Sequence, residues 1–138
     1  MSPELVFSIA STLALGGWLL LVFLPRWPWT ARVAGVGLPA VFAAAYVVIL
    51  VLKGLESSGD FQSLAGVAAL FSNPWLLLAG WIHYLAFDML VGTWEVRDAA
   101  SRGIPHWMVV PCLVLTFLLG PAGWLLYQGM RSYKMKPA

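Results

Sequence analysis

The chain has 138 residues, of which 61% are hydrophobic and 10% charged, with a net charge of +2 and a mean hydropathy of +0.84. A soluble domain carries roughly 25% charged residues, so this composition excludes a water-covered globule. It points to an integral, multi-pass membrane protein, of the inner membrane in a bacterium. The charges lie mostly in connections and the C-terminal tail, which favours lipid headgroups over nucleic acid as a partner.

The length allows one small bundle and no separate soluble domain. A single cysteine, Cys112, excludes an intramolecular disulfide framework and reads as apolar filler. Residues 4–24 are apolar and lack a basic leader or a small-x-small cleavage site, so they are read as a retained helix. About 20 residues at 1.5 Å each cross a ~30 Å hydrocarbon core. Ser8, Ser11, Thr12 and Gly16 would let a neighbouring backbone come close. Pro25-Arg26-Trp27-Pro28-Trp29 then ends the helix and supplies interfacial anchors.

A second helix is expected over 31–52, bent rather than ended by Pro39. Glu56, Ser57, Ser58, Gly59 and Asp60 make a polar turn. Residues 61–71 are apolar but too short to span, and predict an interfacial or re-entrant helix. Asn73 as cap and Pro74 at the first position open a third helix over 74–97. The loop to His106 holds Arg97, Asp98, Arg102, Gly103 and Pro105. A fourth helix, 107–128, contains Pro111 and Gly120-Pro121-Ala122-Gly123, a run expected to kink it and free backbone carbonyls.

The expected fold is therefore all-α, a single domain of four transmembrane helices in a small bundle. Four spans place both termini on one side. Arg26, Arg32, Arg97 and Arg102 then oppose Lys53, Arg131, Lys134 and Lys136, so the positive-inside rule selects neither orientation.

Candidate chemistry concentrates in Trp81-Ile82-His83-Tyr84-Leu85-Ala86-Phe87-Asp88. Ionisable groups at the centre of a spanning helix cost about 2.5–3.5 kcal/mol on insertion scales and are usually paired, hydrated or used. At ~100° per residue, Trp81, Tyr84, Asp88 and Glu95 share one stripe. His83 falls roughly 140° from Asp88, beside Phe87, Leu90 and Trp94. Asp88 is either a carboxyl group hydrogen-bonded to Tyr84, a tryptophan or an arginine to hold the bundle, or a proton donor and acceptor in an apolar pocket. His83 has the same two readings.

His83, Asp88, Asp98 and His106 are residue types that bind metals, but a single ion needs its ligands within about 2–2.5 Å. A regular helix separates these four, and no metal is expected. Glu95, Arg97, Asp98 and Arg102 read as a solvated, mutually paired boundary cluster. Trp81, Tyr84, Trp94 and Phe117 would suit a flat conjugated ligand, although such aromatics also fill bundle cores and interfacial belts. Nothing resembles a phosphate loop or a nucleophile elbow.

Asn73-Pro74, the block Leu78-Ala79-Gly80-Trp81-Ile82-His83-Tyr84-Leu85-Ala86-Phe87-Asp88, Gly92-Thr93-Trp94 and Arg97-Asp98 resemble the abscisic-acid-deficient-four-like family. So do Gly103-Ile104-Pro105-His106, Pro111-Cys112 and the run from Leu115 to Gly123. These are small four-helix membrane proteins of plants, algae and bacteria, and the resemblance covers roughly the second half of the chain. The family's plant members are implicated in forming neoxanthin from violaxanthin. In that isomerisation an epoxide opens as a nearby carbon loses a proton to give an allene, with no net redox change.

The resemblance implies a carotenoid or isoprenoid ligand, with Asp88 and His83 as acid and base and Asp98 and His106 as alternates. The bound group implied is a carotenoid or other pigment. A non-catalytic alternative is a pigment- or lipid-binding accessory subunit, acting as a homo-oligomer or within a larger, photosynthetic membrane complex. A small proton-coupled transporter is a third class, with one membrane carboxylate as a sparse pathway.

Overall fold

The computed structural model describes residues 1–56 and 58–134. Ser57 of the polar turn and Lys136 of the basic tail lie outside them. Among the described residues every regular element is helical.

Helix α1 (Pro3–Phe23) starts where Ser2 accepts a hydrogen bond from the Leu5 amide and Pro3 occupies the first position. It ends just before Pro25, and Thr30 closes the connection by donating to the Leu24 carbonyl at 2.6 Å. Helix α2 (Thr30–Lys53) runs through Pro39 without ending. Proline has no N–H to give and crowds the preceding turn. The turn ahead of it, Val33–Gly37, relaxes into π geometry, with the Leu38 amide bonded to the Val33 carbonyl.

After a 3₁₀ turn at Gly54–Glu56, Ser63 caps the short helix α3 (Leu64–Phe71), which stands where the sequence predicts a short apolar helix. Helix α4 (Pro74–Ser101) is capped by Asn73, whose side chain accepts from the Trp75 amide. It continues one turn beyond the predicted end at residue 97. The charged stretch at Arg97 and Asp98 is therefore helical, and the connection to His106 shrinks to residues 102–105.

Helices α1, α2 and α4 are each long and apolar enough to cross a membrane. Half of the apolar window of α4 is buried within the protein, against 28% in α1 and 17% in α2. Thus α4 is the axis, and α1, α2 and the C-terminal helices pack around it. Outward residues such as Leu5, Leu19, Val36, Val51 and Leu52 are apolar and exposed, a surface suited to hydrocarbon rather than water.

The predicted fourth span does not form. The chain makes α5 (His106–Leu119) and α6 (Pro121–Lys134), separated at Gly120. Two contacts show that α6 turns back along α5. A Cβ on Gly123 would collide with the backbone and hydroxyl of Thr116, seven residues earlier. In one continuous helix these positions would be ~10 Å apart. Farther on, Tyr127 reaches Asp98 and Trp94 near the far end of α4, whereas Gly120 abuts Asp88 at its middle.

The pair is a helical hairpin whose tip reaches the middle of α4. Each arm is about 21 Å long, too short for a ~30 Å core. Gly120 makes the reversal possible. Its φ of +39° with ψ of −93° is a conformation that L side chains rarely adopt. Consequently the two ends of the described chain lie at opposite ends of the bundle, contrary to the four-span expectation.

Candidate functional site

The hairpin tip meets the middle of α4 at a polar cluster. Pro121 lacks an N–H, so the carbonyl of Phe117, four residues earlier, has no helical donor. Tyr84 supplies one, its hydroxyl donating to that carbonyl at 2.7 Å. This realises the expectation that the Gly-Pro run frees backbone carbonyls. One helical turn after Tyr84 comes Asp88. Its carboxyl group faces Gly120, where a Cβ would come within 2.8 Å of Oδ1, and Oδ2 is buried without a hydrogen-bond partner among the described residues.

Two turns further along the same stripe lies Glu95, which is fully buried. It is not the solvated boundary residue expected from sequence. Its two oxygens lie 3.0 and 3.1 Å from the hydroxyl of Thr116, which has a single proton to share between them. The shared stripe with Asp88 was legible in the spacing. What hid the burial was the hairpin, because a straight fourth helix gives no reason for Thr116 to cover that face.

Asp98 occupies a different environment. Its Oδ2 accepts from the Tyr127 hydroxyl at 2.7 Å and from Arg102 Nε at 2.9 Å, and pairs with Arg131 Nε at 3.0 Å. This cluster ties α6 to α4, and Arg131 also lies over the Trp94 ring. His106 sits at the same end, with Nε2 2.8 Å from the Val22 carbonyl, joining the start of α5 to the end of α1.

His83 faces elsewhere. It stacks on Phe87 and meets Tyr46 edge-on. It lines a groove of about 370 Å³ with Tyr46, Leu50, Phe61 and Leu70. His83 and Asp88 are thus not brought together, as their angular separation foretold.

A larger apolar groove, about 640 Å³, opens between the N-terminal halves of α1 and α4. Phe7, Trp81 and Tyr84 form its aromatic wall, with ring centroids 5.3 Å apart at each step, and Trp81 Nε1 donates to Ser11. Of the four aromatic residues assigned to a flat ligand, only Trp81 and Tyr84 line this groove. Trp94 borders a more polar hollow beside Thr93, Arg97 and Asp98. Phe117 packs its ring against Trp18 and enters the cluster through its carbonyl. No group of three or more metal-binding side chains occurs among the described residues.

The arrangement therefore offers one carboxyl group with an oxygen that has no hydrogen-bond partner among the described residues, a second one buried two turns along α4, and a tyrosine that belongs both to the hairpin tip and to an apolar groove. No match was found among curated proteins or solved structures. A family model described as ABA DEFICIENT 4-like matches residues 5–127, which takes in all but the first two residues of α1 and the second half of α6. The chain belongs to the ABA DEFICIENT 4-like family.

Proposed function

We propose that this is a multi-pass membrane protein that holds a carotenoid or other isoprenoid in the groove beside Trp81 and Tyr84, and that Asp88 exchanges a proton with it. Family membership points to a role in carotenoid-related processes. Three long apolar helices with apolar outer faces support a bilayer setting. The observation that carries the reading is Tyr84. Its ring walls the groove, and it stands one turn from Asp88, whose Oδ2 is buried without a hydrogen-bond partner among the described residues.

The reaction class is isomerisation by acid–base chemistry, of the epoxide-to-allene type. One group delivers a proton to the oxygen as the ring opens, and another takes a proton from carbon. Both proton movements close within the site, so no redox partner enters. Asp88 is the leading proton carrier. Glu95, on the same face of α4 as Asp88, is the proposed partner in place of His83, which borders the other groove. Asp98 and His106 are committed to contacts that join helices.

The test is pigment profiling by chromatography in cells that make epoxidised carotenoids and express the protein. Asp88→Asn and Tyr84→Phe should abolish the pigment change while the protein remains in the membrane, and His83→Ala should have the smaller effect. An unchanged profile in Asp88→Asn would refute the acid–base role. If pigment still co-purifies with that variant, a non-catalytic, pigment-binding accessory role takes its place.

A further inference from the structure

The hairpin redistributes charge. With α6 folded back, Arg131 and the last described turn of α6 lie at the Arg97 and Arg102 end of α4, the end of the bundle that also holds Arg26 and Arg32. His106 bonded to Val22 fixes this as one end. The exposed tryptophans Trp27, Trp29 and Trp107 ring the same level. The opposite end carries Ser2 and Glu4 at the start of α1, Lys53 at the end of α2, and Asp60. Four straight spans would have divided the basic residues evenly. Among the described residues, the observed fold gathers every Lys and Arg except Lys53 at one end.

We propose that the basic end is the cytoplasmic face, seated on anionic headgroups, and that the N- and C-terminal ends lie on opposite sides of the membrane. Basic residues close to membrane-spanning helices are retained on the cytoplasmic side. Each one near an anionic leaflet adds about 1 kcal/mol of attraction. The hairpin then enters from the cytoplasm and places Gly120 against Asp88 about 20 Å in, counted along α4 from Ser101. The groove lined by Pro3, Phe7, Pro74 and Trp81 lies toward the opposite leaflet. A ligand reaching Tyr84 therefore arrives from the outer leaflet. The inference rests on the bilayer setting proposed above and not on any pigment chemistry.

Single reporter cysteines in the full chain test it. Ser2→Cys and Gln62→Cys report the acidic end, and Ser132→Cys the basic end; all three positions are exposed. Native Cys112 is buried and serves as the unlabelled control. The probe is a membrane-impermeant maleimide, applied to right-side-out and inside-out vesicles from bacterial inner membrane. Ser2→Cys and Gln62→Cys should label only in right-side-out vesicles, and Ser132→Cys only in inside-out ones. Labelling of Ser2→Cys and Ser132→Cys from the same side would overturn the opposed termini, and the reverse pattern would overturn the orientation. With Arg26→Glu and Arg32→Glu added, a fraction of Ser132→Cys should become accessible in right-side-out vesicles; no change would overturn the role given to charge. None of these outcomes depends on whether a pigment is bound or altered.

Discussion

Gly120→Ala tests the hairpin tip most directly. Two independent costs meet there. The backbone, at φ +39° and ψ −93°, lies where an L residue is strained by roughly 1–3 kcal/mol. The added methyl would also come within 2.8 Å of Asp88 Oδ1 and 3.3 Å of its Cγ, both inside normal contact. Overpacking of this kind costs about 1–3 kcal/mol. The sum predicts a loss of about 2–6 kcal/mol.

The two parts separate in a double-mutant cycle, because Asp88→Ala removes the carboxyl group but leaves the backbone strain. Unfolding midpoints in a denaturing-detergent titration of wild type, both single variants and the double variant provide the measurement. The double variant should recover about half of the Gly120→Ala loss, a coupling of about 1–3 kcal/mol. If Gly120→Ala costs less than about 0.5 kcal/mol, or the cycle shows no coupling, the reversal at Gly120 against Asp88 is wrong.

Two more consequences concern the flanking polar groups. Thr116→Val deprives the buried Glu95 of its hydroxyl partner and should cost about 1–3 kcal/mol in the same titration, whereas pairing it with Glu95→Leu should recover most of that loss, since removing both partners leaves no orphan. Asp98→Ala should cost more than Arg131→Ala. It leaves the buried Tyr127 hydroxyl without its acceptor and two guanidinium groups without their shared oxygen, about 1–3 kcal/mol, while the half-exposed Arg131 contributes at most about 1 kcal/mol. Equal losses would mean that the cluster is held by Arg131 rather than by Asp98.

Much of the site was legible residue by residue. The 100° step of a helix separates His83 from Asp88 and aligns Asp88 with Tyr84 and Glu95 wherever the helix sits, and the structure keeps both relations. The Gly-Pro pair was legible as a source of freed carbonyls, and Phe117 is one. Glu95 was misread because burial is a property of what covers a residue. Its cover, Thr116, belongs to an element whose direction the local pattern does not encode. Asp98 was misread as loop because charge at the end of an apolar run looks like an interface. Contacts to Tyr127 and Arg131 let helix α4 carry Asp98 through that boundary.

Apolar run length and local cap chemistry by themselves determined the helices that became α1, α2 and α4 and the Asn73-Pro74 start of the last of these, since each depends on local spacing and backbone chemistry; the family was legible through its motif blocks. Only the tertiary structure decided that the last apolar run folds back at Gly120. A mostly apolar run of 22 residues, 107–128, with Gly120-Pro121 inside it suits a kinked span as well as a hairpin. Choosing between them required the Thr116 backbone to receive Gly123, and Asp98 to receive Tyr127 and Arg131. From that one reversal come the burial of Glu95, the neighbour of Asp88 and the gathering of positive charge at one end.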